Sequence, residues 1–231
     1  TVLDKEQTAE FAFRPVEKQT DIKIYHIADV HCAYEISKKA CSYFGDETDL
    51  FIVNGDIGEV ETEENYFEAI KFIADISKGE IPVVCSRGNH DARGKLAERF
   101  CDFFPSDGLK TYYTFQVGCI GGVVFDAGED KTDDHVYGAE YNFLRAYDGF
   151  NIFHDYRLRE TRFLKRIKKL NGKYKIAVGH ICPAYSTTHP EWAIEDKIYE
   201  QWNEIFIGSE NERLVCANLM FTSGNYGENI T

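Results

Sequence analysis

Four short apolar runs in this chain each end on residues whose side chains can bind metal ions or transfer protons. A buried parallel strand has this appearance, because both of its faces are covered and its carboxyl end opens into a crevice. We therefore expect four strands to bring these side chains to one edge of a sheet. The runs are residues 22–28 before Asp29 and His31, residues 50–53 before Asn54 and Asp56, residues 81–85 before Asn89, His90 and Asp91, and residues 174–179 before His180.

Helical patterns alternate with these runs, as in an α/β fold. Residues 33–44 predict one helix, and residues 62–79 predict a second that starts at Thr62 and carries an apolar stripe. Residues 112–117 and 120–125 predict an antiparallel hairpin that begins a second sheet. Further predicted elements are a short helix within residues 96–104, a basic amphipathic helix over residues 157–170, an aromatic helix over residues 191–207 and a strand over residues 219–224.

Residues 131–155 are rich in aromatics and glycines but show little periodicity. A long irregular segment of this kind often selects the substrate. A packed surface loop is an equally acceptable interpretation.

In their order along the chain, these strand ends resemble the signature of the calcineurin-like metallophosphoesterases. Four of the five blocks of that signature are present: Asp-x-His at residues 29–31, Gly-Asp at 55–56, Gly-Asn-His-Asp at 88–91 and Gly-His at 179–180. The turn at residues 126–130 is similar to one in members related to the purple acid phosphatases. The resemblance covers roughly residues 22–224 and implies an α/β fold, a four-layer α/β/β/α sandwich of two packed mixed β-sheets flanked by helices. It also implies a single domain over residues 1–231, with a C-terminal truncation left open.

The resemblance implies a centre of two divalent metal ions and a hydrolytic reaction. A hydroxide bridging the metals would attack a phosphomonoester or phosphodiester. By resemblance, Asp29 and His31 hold the first metal, Asn89 and His180 hold the second, Asp56 bridges them, His90 stabilises or protonates the leaving oxygen, and Asp91 orients the ring of His90.

The fifth block of the signature, Gly-His-x-His, is altered. Asn225 stands where the first histidine is expected and could offer its amide oxygen to a metal, whereas Gly227 replaces the second histidine and offers no side chain. Metal affinity should suffer, most at the first metal. Two interpretations stay open: a truncated chain, or a changed site that leaves a catalytically impaired scaffold binding a protein or phosphate ligand.

Glu59 stands three positions after Asp56, where the purple acid phosphatases carry the tyrosine that colours their iron. This difference argues against a purple acid phosphatase proper and leaves the metal open among manganese, iron, zinc, nickel and cobalt. A cysteine-dependent phosphatase is disfavoured because no cysteine is followed by an arginine-bearing phosphate loop. The remaining histidines, His26, His135, His154 and His189, lie outside every block and are interpreted as structural or surface groups.

Composition indicates which classes of partner and which compartment the chain is suited to. A net charge of −13 and a pI near 5.0 oppose the basic surface of nucleic-acid-binding proteins, so we expect a small phosphate-ester substrate and a monomer. No apolar stretch approaches the length of a membrane span, which predicts a soluble chain. Seven cysteines without a Cys-x-x-Cys pair favour free thiols in a reducing compartment, and hence the cytoplasm, although an upstream signal segment could have been removed.

Overall fold

A computed structural model describes residues 10, 12–17, 20–43, 45, 47–59, 62–94, 96–108, 110–124, 126 and 171–180. These residues form strands and helices in a mixed order, which confirms the predicted α/β class. The elements are β1 (Ile24–Ile27), α1 (Tyr34–Ala40), β2 (Leu50–Asn54), α2 (Glu63–Ser77), β3 (Val83–Ser86), α3 (Phe100–Phe103), β4 (Tyr113–Val117), β5 (Ile120–Val124) and β6 (Tyr174–Val178), with 3₁₀ turns at Cys41–Tyr43, His90–Ala92 and Ala97–Arg99.

The first sheet is parallel and has the strand order β1-β2-β3. Helix α1 connects the first two strands and α2 connects the second to the third, as parallel pairing requires. Strand β2 is buried along its whole length, which explains why its sequence is an unbroken apolar run and does not alternate. The carboxyl ends of all three strands therefore lie at the same edge.

The second sheet has the order β4-β5-β6. Strands β4 and β5 form the predicted hairpin, with Val117 paired to Ile120 across the turn. Strand β6 runs parallel to β5, with Val124 beside Val178. The expectation that all four motif-bearing strands share one sheet edge is therefore wrong for the fourth. An apolar run shows that a strand is buried but does not show which strand it pairs with.

The two faces of the first sheet are both covered, because alternate side chains of a strand point to opposite sides. Phe51 and Val53 of β2 belong to a core shared with α2 and α3. Leu50 and Ile52 belong to a second core, between the sheets, whose partners from β4, β5 and β6 are Tyr113, Val117, Ile120, Val124, Ile176 and Val178. The described residues thus form three layers, and the fourth predicted layer falls on residues outside the described ranges.

Helix α2 begins as its sequence predicts. The Thr62 side chain accepts a hydrogen bond from the Asn65 N–H at 3.2 Å, which caps the helix. Its end is set by Lys78, which adopts a left-handed conformation (φ 53°) and donates its N–H to the Ala74 carbonyl. The first predicted helix is shorter than expected, because α1 ends at Ala40 and continues as a 3₁₀ turn.

Within the described ranges, every helix is too short or too polar to cross a membrane. The elements predicted within residues 131–170 and 191–224 lie outside those ranges.

Candidate metal centre

The loops after β1 and β2 are joined by backbone hydrogen bonds that continue beyond the ends of the strands. The N–H groups of Asp29, His31 and Cys32 donate to the carbonyls of Gly55, Asp56 and Ile57 at 3.2, 2.9 and 3.0 Å. Four non-glycine residues of these loops have positive φ angles: Asp29 (54°), His31 (46°), Cys32 (58°) and Asp56 (50°). Such conformations are rare outside glycine and concentrate at functional sites. The local backbone therefore adopts an energetically unfavourable conformation, and this conformation brings the side chains of three predicted ligands close together.

Two imidazoles from different sheets face the same two carboxylates. His180 Nε2 lies 3.1 Å from Asp56 Oδ2 and 4.0 Å from Asp29 Oδ1. His31 Nε2 lies 3.5 and 3.6 Å from the same two oxygens. Asp29, Asp56 and His180 therefore form a compact group, which we call the inner group, whose donor atoms all lie within 4.8 Å of one another.

Asn54 fixes the ring of His180. Its backbone carbonyl lies 2.8 Å from His180 Nδ1, and its side-chain amide donates to the Gly179 carbonyl at 3.3 Å. A carbonyl can only accept, so Nδ1 carries a proton and Nε2 is the nitrogen that faces the carboxylates. This is the usual arrangement of a metal-binding histidine.

The inner group attracts positive charge. Burial lowers the pKa of His180, but the hydrogen bond and charge of Asp56 outweigh burial and raise the pKa to about 9. Burial raises the pKa of Asp56, whereas its contacts with His180 have the opposite effect and prevail, so this pKa is lowered. The nearby carboxylate of Asp29 raises the pKa of His31. These three shifts have one meaning: the carboxylates favour a positively charged imidazole beside them.

Two glycines are required by the close approach of the ligands. A Cβ atom on Gly55 would lie 2.5 Å from the ring of His180, and one on Gly88 would lie 2.1 Å from Asp56 Oδ1. Gly55 also has a φ of +76°, which favours glycine on its own account. These positions explain why glycine precedes the ligand in two of the sequence blocks.

The fully buried Asp91 joins the loops after β2 and β3. Its Oδ2 accepts the N–H groups of Asp56 and Gly88, both at 2.8 Å, and its Oδ1 accepts those of Ile57 and Gly58 at 2.9 and 3.2 Å. The role expected from the sequence was to orient the ring of His90. The structure instead shows the carboxylate satisfied by backbone N–H groups, while other residues contact that ring.

His90 belongs to a second and more open group with His31 and Glu59, which we call the outer group. Glu59 places Oε2 at 2.9 Å from His90 Nδ1 and Oε1 at 2.9 Å from His31 Nδ1. On the opposite side of the ring, Arg93 lies 2.9 Å from His90 Nε2. Burial lowers the pKa of His90, and the charge of Arg93 lowers it further.

The remaining predicted ligands are less fully described. Asn89 is buried directly before His90 in the same loop. Asn225 lies outside the described residues. Sequence reasoning named Glu59 only for the tyrosine that it replaces, and it gave no role to Asn54 or Arg93. The spacing of Glu59 from Asp56 was the one signal that could have indicated a side chain aimed at the site.

The donor set fits divalent metal ions. Carboxylates and imidazoles together suit manganese, iron, zinc and their neighbours in the first transition series. The Nε2 atoms of two histidines and the oxygens of two aspartates converge on one region. The raised pKa values of His31 and His180 and the lowered pKa of Asp56 indicate that this region favours positive charge.

Comparisons with known proteins concern the family and the fold. The profile of a family described as calcineurin-like phosphoesterase matches residues 22–207. The fold is similar to that of a purple acid phosphatase from yellow lupin (Lupinus luteus) seeds, with a TM-score of 0.50 and 13% identity over 84% of this chain and 36% of the lupin chain. A phosphopantetheinyl hydrolase from Mycobacterium tuberculosis gives a TM-score of 0.46 and 16% identity over 77% of this chain and 76% of the other. No curated protein sequence matches significantly. At these identities the likeness to the lupin enzyme shows the fold alone, and this chain spans only about a third of that enzyme's length.

Proposed function

The chain belongs to the calcineurin-like phosphoesterase family, and from this premise we propose that it hydrolyses a phosphomonoester or phosphodiester with the help of two divalent metal ions. The family match supports the general class of metal-dependent phosphoesterase.

One observation carries the proposal. The Nε2 atoms of His31 and His180 approach the same oxygens of Asp29 and Asp56, although the two histidines come from different sheets. Such an arrangement would be costly without a cation, because neighbouring carboxylates repel each other and the buried Asp56 loses its hydration. A pair of divalent ions would supply this positive charge in place of the protons that the carboxylates favour on the two imidazoles.

The ligands divide between the two metals as the sequence resemblance implies. Asp29 and His31 would hold the first ion, Asn89 and His180 would hold the second, and Asp56 would be shared by both. When bound, the ions supply Lewis acidity that activates a water molecule for attack on phosphorus and neutralises charge on the phosphate. The protein holds the imidazoles in the required tautomer, through Asn54 for His180.

His90 acts on the phosphate from beside the centre. Its Nε2 accepts an N–H from Arg93, so the ring proton sits on Nδ1 next to Glu59. A neutral imidazole and a fixed guanidinium are therefore adjacent. We assign His90 to stabilising charge on, or donating a proton to, the leaving oxygen. For either role its Nε2 leaves Arg93 and first takes up a proton from water, because an Nε2 without a proton can only accept.

We propose a small phosphate ester as the substrate and a monomer as the working form. The net charge of −13 would repel a nucleic acid over most of the surface, whereas metal ions reverse the sign locally for a single phosphate. Residues 131–155, which could select among such esters, lie outside the described residues.

The proposal is tested by counting metals and measuring turnover on the same sample. We expect elemental mass spectrometry to find about two metals per chain, and we expect hydrolysis of mono- or bis-aryl phosphates in added manganese. The Asp56→Asn variant should lose at least one metal and all turnover above background, because the shared ligand loses its charge. Asp102→Asn, an exposed carboxylate distant in sequence from the site, is the matched control and should behave as wild type.

A wild-type chain that binds at most one metal and hydrolyses neither ester would contradict the proposal. Asn225 and Gly227 stand where two histidine ligands are expected, and in that outcome they would favour the rival function. The rival is a phosphoesterase-fold scaffold that binds a protein or phosphate ligand without hydrolysing it.

A further inference from the structure

Two polar side chains stand at the end of the apolar core between the two sheets. Asn54 is the last residue of β2 and pairs with Ser86, the last residue of β3. Both side chains are fully buried. Because side chains alternate along a strand, Asn54 shares its face of β2 with Leu50 and Ile52, which pack against the second sheet. The polar pair therefore lies where the core between the sheets ends and the metal centre begins.

Hydrogen bonds fix the orientation of the Asn54 amide. Its Nδ2 donates to the Gly179 carbonyl at 3.3 Å, and a carbonyl can only accept, so the amide nitrogen faces the end of β6. The amide oxygen Oδ1 faces Ser86, whose hydroxyl donates to it. The Asn54 backbone carbonyl also accepts from His180 Nδ1 at 2.8 Å. Ser86, Asn54 and Gly179, which we call the amide link, thus join β3 to the residues that follow β6.

The amide link lies directly behind the ligands proposed for the second metal. Each of its three residues stands one to three positions before such a ligand, in the pairs Asn54 and Asp56, Ser86 and Asn89, and Gly179 and His180. These ligands follow three strands that belong to two sheets, so their spacing depends on how the strand ends are held together. By contrast, Asp29 and His31 follow β1, which contributes no residue to the amide link.

We infer that Ser86 and Asn54 are positioning residues that hold the ligands of the second metal at their proper spacing. The inference rests on the proposed function. Side chains behind metal ligands fix the orientation of those ligands, and loss of one lowers metal affinity by about 10- to 100-fold. Ser86 acts through Asn54, because without the hydroxyl the buried Oδ1 loses its donor and the amide is no longer held in one orientation.

Three variants separate this role from a general contribution to the fold. Ser86→Ala removes the hydroxyl, and Asn54→Leu removes both side-chain bonds but keeps the backbone carbonyl that contacts His180. Ser77→Ala is the matched control, because Ser77 is also buried and accepts the Gly79 N–H at 3.3 Å at the end of α2. Each serine variant loses one hydrogen bond, so we expect both to lower the melting temperature of the metal-free protein to a similar extent.

The test is a titration of metal-free, ¹⁵N-histidine-labelled protein with Zn²⁺ in the presence of a competing chelator. The Nε2 signal of His31 reports the first site and that of His180 the second, and His31→Asn and His180→Asn assign the two signals. We expect Ser86→Ala to raise the free Zn²⁺ concentration at half-saturation about 10-fold for His180 and to leave it within about twofold for His31. Asn54→Leu should raise the His180 midpoint by about 10- to 100-fold, and Ser77→Ala should match wild type at both sites.

The outcomes separate the inference from the proposed function. If Zn²⁺ shifts neither histidine signal in wild type, both fail. If wild type fills both sites, and Ser86→Ala and Asn54→Leu leave both midpoints within about twofold of wild type, only the inference fails. Equal weakening at His31 and His180 would also overturn it, because Ser86 and Asn54 would then support the fold as a whole and not one set of ligands.

Discussion

The inner group (Asp29, Asp56, His180) and the outer group (His31, Glu59, His90) lie side by side but are built differently. In the inner group, Asp56 and His180 are almost completely buried, and backbone N–H groups, a carbonyl and two glycines fix their surroundings. In the outer group all three side chains are partly exposed, and they are held by contacts with each other and, for His90, by the backbone carbonyl of Glu59.

This difference separates two requirements of one site. Holding a metal needs ligands that cannot move or take up water, which burial and backbone contacts provide. Exchanging protons with a substrate needs side chains that a substrate can reach and that can change partner. We therefore expect changes to the inner group to remove metal and activity together. A change to His90, the member of the outer group to which no metal is assigned and which is proposed to act on the substrate, should affect activity with a smaller loss of metal.

Gly88→Ala tests the rigid character of the inner group and should have the largest effect. Its Cβ would lie 2.1 Å from Asp56 Oδ1 and 2.4 Å from the Asp56 backbone nitrogen, and neither atom can move without displacing the shared ligand. We expect metal content well below one per chain and turnover reduced by at least about 100-fold, as displacements of about 1 Å at reacting centres commonly cause. Metal content and hydrolysis are measured on the same preparation.

Gly45→Ala is the matched control, because a Cβ there meets no atom within 4 Å. It should keep wild-type metal content and turnover. A Gly88→Ala protein with two metals and normal activity would show that the loop yields easily, and the contrast between the two groups would lose its basis.

His90→Asn tests the outer group and should reduce turnover with little change in metal content. The imidazole lies beside His31 and Glu59 but is not among the inner-group ligands. Loss of a proton-transferring or charge-stabilising group costs about 10²- to 10⁴-fold in rate. Turnover is measured by steady-state kinetics on an aryl phosphate, and metal content by elemental analysis of the same protein. Equal loss of metal and activity would place His90 among the metal ligands.

The sequence predicted the parts of the site that depend on single strands. Each apolar run that ends in Asp, Asn or His is a strand in the structure. The order of the motifs along the chain indicated the family and, with it, an α/β fold with two sheets. Asp29, His31, Asp56 and His180 are brought together as expected, because strand ends are local features that a short stretch of chain encodes.

The contacts between strands could not be predicted in the same way. The pairing of β6 with β5 depends on which sheet edge is available, and Asn54, Glu59 and Arg93 act through residues distant in sequence. Asp91 is the clearest case. Its place next to His90 in the sequence suggested a contact with that ring, but the 3₁₀ turn at His90–Ala92 points the two side chains apart and directs the carboxylate to the loop after β2.

Asp91→Asn measures what that relocated carboxylate contributes and should have the smallest effect of the three changes. An amide keeps one accepting oxygen, so two of the four N–H groups bonded to Asp91 would face a donor. Each unsatisfied buried N–H costs about 1–3 kcal/mol. Burial raises the pKa of Asp91, so the charged carboxylate is itself unfavourable there. The substitution removes this charge, and the gain offsets part of the cost of the unsatisfied N–H groups. We expect a net loss of about 2 kcal/mol in the free energy of unfolding, measured by urea denaturation without metal so that ligand binding does not contribute.

Asp102→Asn, which loses only an exposed ion pair with Arg99, should change stability by less than about 1 kcal/mol. Equal stability of the Asp91→Asn and Asp102→Asn proteins would mean that the inner group does not depend on Asp91 for its rigidity, and that the glycines and the bonds between the loops after β1 and β2 suffice.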